Sequence, residues 1–319
     1  MSAIGGYFQL EKFQREDYHS DLIKLNTARN SFEYILEARG IKKVYLPYYT
    51  CYVMLDPLKK LGIEYQFYRI DRNLRPVVDF CAEDDEAVVV NNYFGLRGEI
   101  DQEIRKFKNI IMDSTQGFFQ RPLKGIDTIY SCRKFLGVSD GAYLSTDKIL
   151  ERELEEDFSG ERYLYLLKRF EGEPEEYYNI YLEVEEKLYH QPIRKMSRVT
   201  ENFLRGFDYE KIMRTREENY RYLHERLGKY NELELELSGV PGPMFYPFFF
   251  RREGLREKLL KNRIYMPTYW REVLEKVEKE SFEAELVNYL IPLPVDQRYG
   301  REHMEKIVEI LEREIGEER

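Results

Sequence analysis

Three short segments carry residue types that could do chemistry together. IIMDSTQGFF puts the acid Asp113 at the end of an apolar run, and DTIYSCRKFLGVSDGAYL sets Arg133 and Lys134 just after another. LNTARNSFEYIL opens a helical pattern on Thr27 and Ala28. An acid beyond a buried strand can meet a cationic ligand group. A lysine between two buried strands can reach a cleft, and burial lowers its pKa toward the neutral amine that condenses with an aldehyde. A helix start offers free backbone N–H groups which, with a hydroxyl, can hold a phosphate. Each segment also has an ordinary reading. Asp113 or Ser114 caps a turn, Lys134 and Arg133 are solvated loop charges, and Thr27 is a plain N-cap. Taken together, the three stand in chain order as an anion site, an acid and an amine. These complement the phosphate, ring nitrogen and aldehyde of pyridoxal 5'-phosphate.

The elements that must position them alternate. IKKVYLP, IEYQFYRID, EAVVVNNYFG, NIIMD, DTIYS and GAYLST read as strands, and between them lie helical segments such as TCYVMLDPLKKLG and EIDQEIRKFKN. Short apolar strands alternating with helices over residues 25–146 predict an α/β fold with a mainly parallel sheet covered on both faces. Ligands in such sheets sit beyond the carboxyl ends of the strands. Residues 1–20 read as an irregular arm. After Asp147 the chain becomes charged, with helices expected at KILERELEED, EEYYNIYLEVEEKLYH and DYEKIMRTREENYRYLHERLGKY. The last part predicts strands at ELELELS and MFYPFFFRR and helices at 253–262, 270–288 and 301–315. In the helix at 208–228, Arg214 and Arg216 are expected on a solvated face with i,i+4 ion pairs, against a role in binding nucleotide phosphates.

Composition excludes several classes. Lys plus Arg is 50 and Asp plus Glu is 59, a net charge of −9, which argues against a general nucleic-acid binder. No apolar run approaches the roughly 18 residues a membrane span needs. MSAIGGYFQLEKF lacks the basic flank and apolar stretch of a secretory signal, so the chain reads as soluble and cytoplasmic. The cysteines are Cys51, Cys81 and Cys132, with no CxxC pair, and the four histidines form no HExxH, so no metal site is expected. The 319 residues leave room for about two domains.

At this point the ordered set resembles the DegT/DnrJ/EryC1/StrS family of pyridoxal phosphate (PLP)-dependent aminotransferases, in the aspartate-aminotransferase fold type I. The resemblance runs over roughly residues 4–316. LNTARNSFEYIL resembles the family's phosphate-binding helix start, VYLPYYTCYV its Pro-x-x-Thr segment, and VVVNNYFGLRGEID its strand and glycine turn, with Asn92 where a His is usual. IIMDSTQGFF resembles the Asp-x-x-Gln/His motif, and SCRKFLGVSDGAYL the lysine followed by an acid–Gly pair, here Asp140 and Gly141. RTREENYRYLHERL resembles the Arg-rich helix of the second half, and LVNYLIPLPVDQRYG the closing Leu-Pro segment.

The resemblance implies a large PLP-binding α/β domain over 20–205 and a small α+β domain over 206–319, with residues 1–19 as an arm. It implies that Lys134 forms the internal aldimine and shuttles the proton, and that Asp113 pairs with the pyridinium nitrogen. Gln116 would lie against the ring or its 3-oxygen, and Thr27, Ala28 and Ser131 would hold the phosphate. Cys51 stands where the family often places a stacking aromatic, which leaves Tyr49 or Tyr52 for that place. Ile193 stands where the family sends an Asn to the partner subunit, with Arg194 or Lys195 as substitute cations. The implied activity is transfer of an amino group, from glutamate, to a nucleotide-linked keto sugar by a homodimer with a shared active site. The alternatives are a non-catalytic sensor or scaffold with the same fold, and a sugar dehydratase, whose family members carry His in place of the lysine.

Overall fold

The computed structural model describes residues 4–235 and 239–316. Seven strands form the main sheet: β1 (Ile23–Leu25), β2 (Lys43–Pro47), β3 (Glu64–Tyr68), β4 (Glu86–Asn91), β5 (Asn109–Asp113), β6 (Asp127–Ser131) and β7 (Ala142–Ser145). Their order is β1-β7-β6-β5-β4-β2-β3. The pairings from β3 through β6 are parallel, and β7 is antiparallel to both β6 and β1. Two reversals make β1 run in the same direction as β6. The carboxyl ends of β1, β2, β4, β5 and β6 therefore share one edge of the sheet.

The central strands read as near-continuous Val and Ile because both faces are covered. Val88 and Val90 face one apolar cluster, while Ala87, Val89 and Ile111 face another with Phe32, Ile35 and Leu36 of α1 (Ala28–Arg39). Helix α1 ends at Gly40, whose φ of 64° is the left-handed cap that glycine adopts at low cost. The next helices are α2 (Leu55–Leu61) and the single turn α3 (Gln102–Arg105). The later ones are α4 (Leu164–Glu171), α5 (Tyr178–Tyr189), α6 (Arg198–Leu204), α7 (Tyr209–Leu227), α8 (Leu255–Lys261), α9 (Phe282–Tyr289) and α10 (Arg301–Gly316). A second, antiparallel sheet pairs β8 (Phe245–Phe249) with β9 (Leu290–Pro294). Phe249, Val273, Leu286 and Leu290 of this later part pack in the same cluster as Val88 and Val90, so the two parts share a core.

Four expectations are corrected. KILERELEED is not helical: Glu155 and Asp157 exchange backbone hydrogen bonds with Lys195, and the side chains pair outward, Arg152 with Glu37 and Arg198 with Glu156. Those long-range partners replace the helical ladder. The helix expected over 270–288 is broken into a 3-10 turn at Arg271–Glu275 and α9, because Trp270 is left-handed and Ser281 caps a fresh start. Of the ELELELS strand, residues 232–235 are irregular and 236–238 lie outside the described residues. Arg216 is not on a solvated face; only 2% of it is exposed, whereas Arg214 is exposed.

His19 carries a pH expectation. It is fully buried, its Nε2–H donates to the Phe118 carbonyl at 2.7 Å, and burial depresses its pKa from 6.5 to about 4. Between those values the unfolded chain binds a proton that the folded chain refuses, so stability falls as pH drops through this window, by about 1.4 kcal/mol per pH unit for this one group. Urea midpoints at pH 7 and pH 4.5 check this. His19→Gln, which keeps a donor but does not titrate, should flatten the difference.

Candidate functional site

The parallel register brings the predicted residues to one edge. Asn91 of β4 pairs across from Asp113 of β5, and β6 ends beside them at Ser131. The loops leaving these ends carry Asn92, Gln116 and Lys134. Since β1 runs the same way, Thr27 and Ala28, just beyond it, open α1 at the same edge, and Gly141 N–H donates to the Asn26 carbonyl at 2.8 Å to tie that start to the Lys134 loop.

Lys134 presents part of its side chain to a cleft of about 760 Å³ that Tyr165, Tyr181, Tyr265, Arg216 and Gln297 also line, while its amine is bonded in the partly buried wall. Its Nζ donates to Thr115 Oγ1 at 2.9 Å, from the turn that follows Asp113. The surrounding protein desolvates the ammonium and lowers its pKa; Asp113 and Cys51 pull it back up, and Arg133 lowers it further. Desolvation is the largest influence. The neutral amine is therefore present at lower pH than in an ordinary lysine. Arg133 itself is drawn away, in a two-pronged pair with Glu185 of α5.

Asp113 Oδ1 accepts from Thr115 N–H at 2.9 Å, so the turn-cap reading holds and the same carboxylate lies within electrostatic reach of Lys134. Gln116 accepts from Phe94 N–H at 2.8 Å through Oε1, while its buried Nε2 has no partner. Thr27 Oγ1 accepts from Asn30 N–H at 3.2 Å as an N-cap, and Ala28 is the first helical residue. Ser131 is buried at the end of β6.

Other predicted residues are occupied elsewhere. Asn92 spends its amide inside the loop, donating to Gln120 Oε1 and accepting from Arg97 N–H at 2.9 Å. Tyr49 is 1% exposed, packed edge-on to Trp270 and tilted against Tyr93. Tyr52 stacks on Phe67 with ring centres 5.7 Å apart. Ile193 is buried in the cluster beneath α1, Arg194 faces Glu155 and Asp157, and Lys195 is exposed.

Sequence reasoning missed three residues. Thr115 holds Lys134, and its place two residues after the strand-end acid was the available signal. Arg29 follows Thr27–Ala28, packs over the Tyr189 ring, and keeps a buried Nε without a partner. Trp270 is the only tryptophan and sits in a left-handed conformation (φ 52°) beside Cys51 in the same cavity wall. Trp270 and Cys51 line a second cavity of about 540 Å³ with Tyr52, Asp56 and Tyr189. Among the described residues no group of three His, Cys, Asp or Glu is arranged to hold a metal ion, and no helix is long and apolar enough to cross a membrane.

No protein-family model matches the chain, and no curated protein matches it in sequence. Solved structures do resemble it. A DegT DnrJ EryC1 StrS aminotransferase from Brucella abortus is 16% identical, with 91% of this chain and 84% of that one covered at a TM-score of 0.64. The aminotransferase TlmJ from Streptoalloteichus hindustanus is 15% identical over 91% and 84%, at 0.65. The E. coli GDP-4-keto-6-deoxy-D-mannose-3-dehydratase with bound hydrated PLP is 14% identical over 91% and 87%, at 0.63. The likeness spans nearly the whole of this chain, and what it establishes is architecture: this α/β protein has the fold that these aminotransferases and this dehydratase share.

Proposed function

We propose that the chain is a PLP-dependent aminotransferase of the DegT/DnrJ/EryC1/StrS family, moving an amino group from glutamate to a nucleotide-linked keto sugar. The observation that carries this reading is the juxtaposition of Lys134, desolvated and held by Thr115, with Asp113 at the end of the adjacent strand. The donor set fits the cofactor. Thr27 and the N–H of Ala28 would receive its phosphate at the start of α1, Asp113 its ring nitrogen, and the unpartnered Nε2 of Gln116 its ring oxygen. When bound, the pyridinium ring supplies an electron sink. Lys134 Nζ, whose ammonium form the surrounding protein disfavours, would take the α-proton of the amino acid and deliver it to the cofactor in the same half-reaction, then carry a proton the other way in the opposite one. Asp113, fixed by Thr115, would hold a proton on the ring nitrogen. We also propose residues 20–205 as the cofactor domain and 206–319, with the arm 1–19, as the second; the two sheets fall on either side of that boundary. A homodimer agrees with α4, which buries no residue and exposes Leu167 and Phe170.

The lone tryptophan makes the test direct. Pyridoxal phosphate added to the full chain should raise a visible absorption band and quench Trp270 emission, because Trp270 and Cys51 line one cavity and Cys51 lies within the field of Lys134 and Asp113. Glutamate should then bleach the band. Absence of any band with excess cofactor ends the proposal. A band that glutamate leaves unchanged favours a sensor or scaffold.

A further inference from the structure

Among the described residues, buried charges are neutralised by contact, with one exception. Asp17 meets Lys24, Glu33 meets Lys60, Asp127 meets Arg39, Arg162 meets Asp140 and Asp157, Glu283 meets Arg69, Asp296 meets Arg298, and Glu314 meets Lys258. Arg216 of α7 is more deeply buried than most of these and has no carboxylate in contact. Its nearest charged influences are Asp296, already held two-pronged by Arg298, and Arg298 itself. A buried guanidinium without a counter-ion is costly, so its hydrogen bonds must be specific to be retained.

Those bonds converge on the residue after Lys134. Arg216 Nη2 donates to the Phe135 carbonyl at 3.3 Å, and the guanidinium lies over the Phe135 ring, 4.7 Å from its centre. Gln297, just past β9, donates from Nε2 to the same carbonyl at 2.8 Å and accepts from Arg216 Nε at 2.9 Å. Arg216 Nη1 is anchored on the carbonyls of Pro243 and Met244, at 3.0 and 3.3 Å. One carbonyl of the Lys134 loop is thus gripped by two side chains from the later part of the chain, and both line the cleft onto which Lys134 opens.

We infer that Arg216 and Gln297 are positioning residues, which hold the Phe135 carbonyl so that the Lys134 amine stays seated against Thr115. The inference rests on the reading of Lys134 as the reactive amine. The groups acting on Lys134 are Asp113, Cys51 and Glu185, which favour its charged form, and Arg133, which opposes it; desolvation outweighs them all. Releasing the carbonyl frees the loop, lets the amine leave Thr115 and the protein packed around it, and lets it protonate more readily.

The test is competitive acetylation of the full chain by acetic anhydride across pH 6–11, read by peptide mass spectrometry at Lys134 and at exposed Lys195. In the native chain Lys134 should react with a midpoint below that of Lys195. Gln297→Leu and Arg216→Gln should each move the Lys134 midpoint up by about one pH unit, while Lys195 stays fixed. Arg214→Gln, at an exposed place on the same helix, should change neither. An unmoved or lowered Lys134 midpoint in Gln297→Leu overturns the inference, and Gln297→Leu alone decides if Arg216→Gln does not fold. A native Lys134 that titrates like Lys195 removes the premise instead, which separates failure of the functional reading from failure of the clamp.

Discussion

Lys134→Ala is expected to abolish the visible band with pyridoxal phosphate and to cut amino transfer by about 10³-fold or more, because in the proposed function one side chain would serve both as nucleophile and as proton carrier. The geometry explains why no neighbour substitutes. The nearest other cation, Arg133, is committed to Glu185, and a guanidinium does not give up its proton near neutral pH. Cys51, the other nucleophile in the neighbourhood, has its thiol pKa raised by desolvation and is not a ready base. Lys134→Arg should be as inactive as Lys134→Ala in the proton-transfer steps while keeping the charge, so the pair separates chemistry from electrostatics. The measurement is single-turnover bleaching with glutamate, alongside cofactor retention on gel filtration. Activity within tenfold of the native chain in Lys134→Ala would remove the lysine from the mechanism.

Much of the main sheet could be read in the residues, because each buried strand is an unbroken apolar word closed by a polar one. NIIMD and DTIYS each correspond to a whole strand, and their last residues, Asp113 and Ser131, stand at the site's edge. Local signals also fixed α1, through Thr27 and Gly40. What could not be read depended on partners far along the chain. KILERELEED has helical composition, but its backbone is paired by Lys195, about forty residues away. Arg216 looked like one more charge on an Arg- and Glu-rich helix. Its burial is set by Gln297 and Phe135, each about eighty residues distant, and no periodicity on α7 reports them. The site divided the same way. Asp113 and Lys134 were legible as strand-end residues, whereas the orientations of Tyr49 and Tyr52 are set by core packing against Trp270 and Phe67, which no local pattern reports.

Asp140 illustrates how a residue beside the site can matter through stability rather than chemistry. It is fully buried, and its carboxylate accepts from Arg162 Nε at 2.9 Å, from Ser139 Oγ at 2.9 Å and from Thr200 Oγ1 at 2.5 Å. Gly141, next along, has a φ of 98°, and a Cβ there would stand 2.9 Å from the Thr200 methyl, so α6 is seated directly on this turn. Asp140 is the bolt that joins the Lys134 loop to α6 and to the segment carrying Arg162. Asp140→Ala leaves Arg162 with Asp157 alone and strips Thr200 of its charged acceptor. Leaving a buried charge wholly unpaired costs about 3–5 kcal/mol; because Arg162 keeps Asp157, the urea midpoint should fall by less than that full amount. Asp140→Asn keeps the shape and one acceptor and should lose less. Double substitution with Arg162→Met should lose more still, because buried Asp157 is then left with only Arg194, 3.7 Å away. If Asp140→Ala melts like the native chain but loses the visible band, the acid acts on the cofactor site and not on the fold.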